Sequence, residues 1–177
     1  MEYGLIKTKI GWCGALCSDR GVRRIVIGAR SRGKARSLVL VGLSPKGAVP
    51  VLSEKEQVRD ALEKLRRYLS GKRVDFRAIR LDMTSCTGFE RAVYHAARKI
   101  PYGETVRYKD VADRIGHPRA YRAVGRALGK NPFPLVVPCH RVIGSDGGLC
   151  GFSGLGGLSL KRRLLSMEKG MRGKGAL

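Results

Sequence analysis

The chain has 177 residues, of which 43% are hydrophobic and 28% charged, a composition that predicts one or two small folded domains and excludes a disordered chain. Lys and Arg number 36 against 14 Asp and Glu, so the formal net charge is +22. Solubility needs far less charge than this, and the excess therefore indicates a polyanionic partner, with nucleic acid favoured over an anionic membrane surface.

Targeting signals are absent from the sequence pattern. No apolar run approaches the roughly 18 residues of a membrane span, and the first residues lack the basic and apolar regions of a signal peptide. The five cysteines are an odd number, which disfavours a secreted disulfide framework. We therefore expect a cytoplasmic protein that makes no membrane contact.

The chain contains one asparagine, Asn131, and one glutamine, Gln57. Depletion of these two residue types beside abundant Lys and Arg is typical of hyperthermophilic proteins. Because intracellular disulfides occur in such organisms, a disulfide among the remaining cysteines stays open. Those cysteines are Cys13, Cys17, Cys86 and Cys150.

The first part of the chain predicts a small α/β domain over residues 1–80. Short β-prone runs cover residues 3–10, 13–18 and 22–28, and residues 37–41 predict a further strand. A capping-box pattern at residues 53–56 precedes a helix whose apolar residues recur at helical spacing, with Gly71 as its end. No catalytic constellation is visible there, and two cysteines four residues apart support a zinc site only weakly. We expect a structural role.

The second part, residues 81–177, predicts a mostly helical domain. Thr87 and Glu90 form another capping-box pattern. A short helix over residues 108–116, a turn at Gly116, and a basic helix over residues 119–129 with Pro118 at its first position have the proportions of a helix-turn-helix. Short helix pairs also occur as packing units, but exposed Arg119, Arg122 and Arg126 favour DNA binding.

Cys139 and His140 follow an apolar run at residues 134–137 that predicts a buried strand. A cysteine is a strong nucleophile as the thiolate, which a nearby base favours. Since neighbours on a strand point to opposite faces, we expect these two side chains to be coupled through a water rather than directly. The alternative is an inert core cysteine, a common fate of free cysteines.

Residues 131–143, NPFPLVVPCHRVI, resemble the signature of the O6-alkylguanine-DNA alkyltransferases, and the similarity runs from about Phe89 to Glu168. The resemblance implies a ribonuclease H-like α/β N-terminal domain before a C-terminal domain with a helix-turn-helix. It implies irreversible, single-turnover transfer of an alkyl group to Cys139 from O6-alkylguanine, and less well O4-alkylthymine, in double-stranded DNA. The family acts as a monomer on a flipped-out base, with no cofactor and no metal.

The resemblance also implies roles for single residues. Cys139 is the nucleophile, His140 the base acting through water, and Glu168 the group that fixes the histidine tautomer, although a glutamate on a helix is ordinarily solvated. The Tyr108 hydroxyl donates toward N3 of the base. Asn131 ties the helix-turn-helix to the acceptor segment.

Further positions match residues that contact DNA in the family. Arg122 enters the space vacated by the flipped base, where the alternative is a phosphate contact, and the second helix docks in the minor groove. The remaining matches to DNA- or substrate-binding positions are Tyr108, Lys109, His117, Ser145, Val142 and Ser153. The chain departs from the pattern at Phe152, where many members have Tyr, and in residues 153–158, which are about two residues longer than usual.

Two other functions fit parts of the pattern. A non-enzymatic helix-turn-helix protein, either an alkyl-lesion sensor or a transcriptional regulator, would bind DNA without needing Cys139. A cysteine hydrolase needs an oxyanion hole, and none is visible in the sequence. We expect the alkyltransferase function.

Overall fold

The computed structural model describes residues 1–43, 51–53, 55–152 and 154–172, and these divide into two compact units, Met1–Thr84 and Ser85–Leu177. The first unit mixes strands and helices and the second is mostly helical, which confirms the predicted fold class. Among the helices of the described residues, none is both long enough and apolar enough to cross a membrane.

The first unit is built on a four-stranded sheet. The strands are β1 (Glu2–Thr8), β2 (Gly11–Ser18), β3 (Gly21–Ala29) and β4 (Val51–Leu52), in the order β3-β2-β1-β4. The first three pair antiparallel as hairpins, and β4 pairs parallel with β1. The three predicted strands are therefore confirmed.

Two helices pack on this sheet, α1 (Arg32–Val39) and α2 (Glu56–Leu69). The buried residues of α2 are at helical spacing, as predicted. Its close approach to β1 requires Gly4, where an added Cβ would lie 2.6 Å from a Val58 methyl carbon. At the other end of α2, Gly71 has a φ of 93° and its amide donates to the Tyr68 carbonyl oxygen, so it ends the helix as expected.

Two local predictions in this unit are wrong. Residues 37–41 lie in and beyond α1 rather than in a strand, because Ser31 caps a helix whose buried residues Ala35 and Val39 are four apart. The capping box at residues 53–56 does not form as predicted, since α2 begins at Glu56 and the Ser53 hydroxyl donates to Glu2 instead, at 2.8 Å. Residue 54 lies outside the described residues.

The second unit contains α3 (Gly88–Arg98), β5 (Val106–Arg107), α4 (Tyr108–Arg114), α5 (Tyr121–Gly129), a 3-10 turn (Cys139–Arg141), β6 (Val142–Ile143) and α6 (Gly157–Arg172). The capping box of α3 is confirmed, with Glu90 N donating to Thr87 Oγ1 at 3.2 Å and Thr87 N donating to Glu90 Oε2 at 2.9 Å. Strands β5 and β6 pair parallel and bring the start of α4 beside the end of the 3-10 turn.

Helices α4 and α5 form the predicted helix pair, but α5 begins later than expected. Ala120 is its N-cap, and the Ala120 amide donates to the His117 carbonyl oxygen at 2.8 Å, which closes a tight turn. Pro118 lies in that turn rather than at the first helical position. Gly116 precedes the turn with a φ of 75°, a conformation that favours glycine.

The strand predicted over residues 134–137 is also wrong. The chain turns at Leu135, whose φ is 74°, and the Val137 amide donates to the Phe133 carbonyl oxygen at 2.8 Å. Leu135 is 1% exposed, so this apolar run packs in the core as a turn. The left-handed backbone of a leucine is costly, and burial of its side chain compensates for that cost.

Candidate active site

Cys139 begins the 3-10 turn and is 4% exposed. Its position is fixed by its own amide, which donates to the Val137 carbonyl oxygen at 2.8 Å. The sequence predicts Cys139 and His140 on a strand, with their side chains on opposite faces. The two residues instead lie next to each other in a 3-10 turn, so the expectation about their side-chain directions no longer applies.

Asn131 follows the end of α5 and binds the segment of residues 133–139, which leads to Cys139. Its Nδ2 donates to the Val137 carbonyl oxygen at 2.9 Å and to Cys139 Sγ at 3.3 Å, while its Oδ1 accepts from the Phe133 amide at 2.9 Å. Asn131 is 4% exposed. An N–H group directed at sulfur offers a hydrogen bond that a thiolate can accept.

His140 and Glu168 form a buried pair. His140 Nε2 lies 3.0 Å from Glu168 Oε1, and both side chains are 0% exposed. Glu168 is supplied by α6, whose buried face also carries Leu160 and Leu164. The predicted contact between His140 and a glutamate 28 residues later is therefore present in the geometry.

Glu168 also accepts hydrogen bonds from two further groups. Arg141 Nη2 donates to Oε1 at 2.8 Å and Arg141 Nε to Oε2 at 3.0 Å, and the Gly103 amide donates to Oε2 at 2.9 Å. A third nitrogen of the same guanidinium donates to the Ile100 carbonyl oxygen at 2.8 Å. Glu168 thus joins the 3-10 turn, α6 and the segment after α3.

These contacts fix the protonation states of the pair. Burial raises the pKa of Glu168, but the hydrogen bonds from His140 and Arg141 outweigh it and hold that pKa well below its usual range. Burial lowers the pKa of His140 and outweighs the opposing effect of Glu168. A carboxylate only accepts, so Nε2 carries the proton that faces it and Nδ1 is the basic nitrogen of a neutral imidazole.

Lys161 is, after Arg141, a second buried cation near Cys139. It is 0% exposed, and its Nζ donates to the carbonyl oxygens of Val142 and Cys150, both at 2.7 Å. Burial lowers its pKa, while Cys139 and Cys150 act in the opposite direction. Lys161 therefore connects the two ends of the segment between residues 142 and 150 and adds positive potential at Cys139.

Tyr108 is the first residue of α4 and lies against the same segment. Its hydroxyl donates to the Cys150 carbonyl oxygen at 3.5 Å, and Lys161 Nζ lies 5.9 Å from its ring centroid. Burial, together with Cys150 and Cys139, raises the pKa of Tyr108 to about 12. The hydroxyl is therefore a proton donor over the whole neutral range.

Of the other predicted residues, Val142 is buried, and four lie on the surface of the second unit. Arg122, Lys109 and His117 are exposed on or between α4 and α5, and Ser145 is exposed in the turn that follows β6. The α4–α5 pair and its caps, residues 107–130, carry seven Lys and Arg against two Asp. Ser153 lies outside the described residues.

The structure thus places two buried groups of contacts at the 3-10 turn: Asn131 with Cys139, and Glu168 with His140 and Arg141. Sequence reasoning missed Arg141 and Lys161. A signal for Lys161 exists, because it falls between Leu160 and Leu164 on the apolar stripe of α6, where a charge must be buried. Within the described part of the chain, no three His, Cys, Asp or Glu side chains are grouped to hold a metal ion.

Comparison with known proteins identifies the family. Residues 88–170 match the family described as "6-O-methylguanine DNA methyltransferase, DNA binding domain". The methylated-DNA–protein-cysteine methyltransferase of Methanosarcina barkeri is 46% identical over 169 residues, which cover 96% of this chain and 98% of that protein.

Solved structures agree with the sequence match. The Mycobacterium tuberculosis OGT in complex with DNA has a TM-score of 0.75 and 35% identity, covering 96% of this chain and 94% of that one. The O6-methylguanine-DNA methyltransferase of the hyperthermophilic archaeon Pyrococcus kodakaraensis has a TM-score of 0.71 and 27% identity, covering 94% and 98%. The chain therefore belongs to the methylated-DNA–protein-cysteine methyltransferase family.

Proposed function

We propose that this chain repairs double-stranded DNA by transferring the alkyl group of O6-alkylguanine irreversibly to Cys139, once per molecule, with O4-alkylthymine as a poorer substrate. The observation that carries the proposal is the contact of Cys139 Sγ with the Asn131 amide beside the buried His140–Glu168 pair. The relatives come from Methanosarcina and Mycobacterium, prokaryotes whose DNA lies in the cytoplasm, so we place the reaction there and expect a monomer to perform it.

The thiol is activated first. The Cys139 proton passes through a water to Nδ1 of His140, and Glu168 balances the imidazolium that forms because it already accepts from Nε2. The Asn131 N–H and the Lys161 ammonium stabilise the thiolate.

The thiolate then attacks the alkyl carbon bonded to O6. An S–C bond forms, the C–O6 bond breaks, and its electron pair passes to the guanine ring, which accepts a proton at N3 from the Tyr108 hydroxyl. Solvent then returns a proton to the Tyr108 oxygen and takes the proton held on His140, and the ring proton exchanges from N3 to N1. The products are guanine in DNA and a thioether on Cys139. A thioether has no hydrolysable bond to an acyl group, so the molecule reacts once and no cofactor is consumed.

The helix-turn-helix delivers the base. A reacting atom inside a duplex is inaccessible, so the nucleotide must leave the stack. Arg122 on α5 fills the vacated space while the basic face of the α4–α5 pair contacts the backbone, with Lys109, His117 and Ser145 as further contacts. Backbone groups near Cys139, Val142 and Ser153 bind the flipped base.

Intact-protein mass spectrometry tests the proposal. After incubation with a duplex containing one O6-methylguanine, we expect one methyl adduct per molecule, mapped by peptide analysis to Cys139. Cys139→Ala should abolish the adduct and leave duplex binding intact, and Cys150→Ser, which changes an exposed thiol, is the matched control. Binding of the lesion without any adduct would instead identify a lesion sensor, and repeated turnover would identify a hydrolase.

A further inference from the structure

The first unit carries as much excess charge as the second. Residues 1–84 contain 19 Lys and Arg against 8 Asp and Glu, and residues 85–177 contain 17 against 6. The helix-turn-helix contributes seven of the 17 Lys and Arg residues of the second unit, and the proposed reaction uses them. Nothing in the proposed reaction uses the charge of the first.

Five cations of the first unit gather at one end of its sheet. In the β1–β2–β3 register, Lys7 pairs with Trp12 and Trp12 pairs with Ala29, so the β1–β2 turn and the end of β3 are adjacent. Helix α1 begins at Arg32, three residues after that end. The exposed cations at this end, which we call the basic patch, are Lys7, Lys9, Arg30, Arg32 and Lys34.

The sequence around the basic patch lacks carboxylates. Residues 3–18 and 20–53 contain no Asp or Glu at all. The nearest acids in the sequence, Glu2 and Asp19, lie at the opposite end of the strands, where Glu2 pairs with Cys17 and Asp19 is in the β2–β3 turn. Six strand rises separate the two ends by roughly 20 Å, more than twice the Debye length of about 8 Å at physiological salt.

The basic patch does not serve the stability of the fold. Hyperthermophilic proteins gain stability from networks of alternating charges, whereas none of the five cations forms an ion pair with any carboxylate in the described ranges. Five adjacent like charges repel one another and so oppose compaction. A surface that costs stability and attracts anions is expected where a polyanion binds.

We infer that the basic patch is a second DNA-contacting surface, which binds the phosphate backbone of a duplex without regard to sequence or damage. The inference rests on the proposed function only in taking DNA as the polyanion. The basic patch consists of several separate cations spread over the end of a strand and the start of a helix. Such an arrangement suits a row of phosphates, because each cation can contact a different phosphate. It needs neither the flipped base nor Cys139.

The test compares two fourfold variants on an undamaged duplex. One replaces Lys7, Lys9, Arg30 and Arg32 with Gln. The control variant replaces four exposed cations elsewhere in the same unit with Gln, so it removes the same net charge. Unlike the cations of the basic patch, these four lie beside carboxylates, as Arg67 and Lys72 do beside Glu63. The control residues are Arg20, Arg59, Arg67 and Lys72.

The readout is the slope of the logarithm of the binding constant against the logarithm of salt concentration. Each phosphate contact contributes about 0.9 to that slope, so loss of four contacts in the basic-patch variant should flatten it by about 3 to 4 relative to the parent. The control variant should keep the parental slope. Equal flattening in both variants, or none in either, would overturn the inference.

Trp12 gives a local readout, because it is the sole tryptophan of the chain and is paired with Lys7. Iodide is attracted to the basic patch, so saturating duplex should reduce iodide quenching of Trp12 emission in the parent. Unchanged quenching on DNA, with protection by anionic lipid vesicles instead, would overturn the inference in favour of a membrane surface. Failure of the proposed function would appear separately, as a parent protein that binds DNA but gains no methyl adduct on Cys139.

Discussion

Replacement of Glu168 by Gln removes the negative charge from the centre of the buried network. The Arg141 guanidinium would stay 7% exposed but lose its counter-charge, and the new amide group would place N–H donors opposite N–H donors. Removing one partner of a buried ion pair costs about 3 to 5 kcal/mol. For a chain of this length, that corresponds to a fall in Tm of about 6 to 20 °C.

The chain offers a matched control for this substitution. Glu63 receives two hydrogen bonds from Arg66, at 2.8 and 2.9 Å, with the same guanidinium–carboxylate chemistry on an exposed helix face. Because solvent screens that pair, Glu63→Gln should leave the Tm close to that of the parent. Calorimetry on both variants measures the difference. Equal Tm values for Glu168→Gln and Glu63→Gln would refute the reasoning that the burial of Glu168 makes its charge essential.

The same network predicts how stability depends on pH. The folded-state pKa of Glu168 lies below its ordinary value near 4.5, so its contribution is present above that pH and is lost as pH falls through the folded pKa. The folded-state pKa of His140 lies below its ordinary 6.5, so acidification below pH 6.5 also favours the unfolded state, which binds the proton more readily. Tm should therefore fall as pH drops from 6.5, and the part below about pH 4.5 should be smaller in Glu168→Gln.

Three further substitutions test the proposed roles. Arg122→Ala should slow transfer from duplex DNA more than transfer from free O6-alkylguanine, with Arg126→Ala as the control on the same helix; equal losses on both substrates would exclude a role in base flipping. Lys161→Met leaves the buried Val142 carbonyl oxygen without its lysine donor and the Cys150 carbonyl oxygen with the longer contact from Tyr108. Unfolding should therefore become easier by about 1 to 3 kcal/mol in denaturant titrations, with slower transfer from both substrates. Tyr108→Phe removes the proton donor and should slow transfer without changing duplex affinity; a parental rate would assign Tyr108 to packing alone.

The elements that the sequence predicted correctly are those whose signals are local. Strands β1, β2 and β3 have turn residues between them, and α3 has a capping box, so a short window of sequence contains the information that predicts each element. The strand predicted over residues 37–41 was wrong. The β-branched residues there suggest a strand, but packing on the sheet buries Ala35 and Val39, which favours a helix. The apolar run before Cys139 failed for a similar reason, since an isolated run does not distinguish a strand from a buried turn.

The residues of the site also differ in whether a local signal in the sequence predicts them. Cys139 and His140 are adjacent and belong to a specific motif, so the sequence alone points to them. Arg141 is equally adjacent, but its partners are Glu168 and the carbonyl of Ile100, 27 and 41 residues away. No periodicity within one element indicates such a contact, and only the tertiary structure explains why a cation lies beside the histidine.

The position of Glu168 along the chain has a consequence for biosynthesis. Cys139 and His140 leave the ribosome before α6 does, and until Glu168 arrives nothing fixes the histidine tautomer or balances its charge. On the proposed function, a nascent chain therefore carries an ordinary thiol at Cys139, and the activated thiol exists after α6 has docked. In the proposed reaction, activation of Cys139 is coupled in this way to docking of α6, which protects a single-use acceptor from reacting with other electrophiles during synthesis.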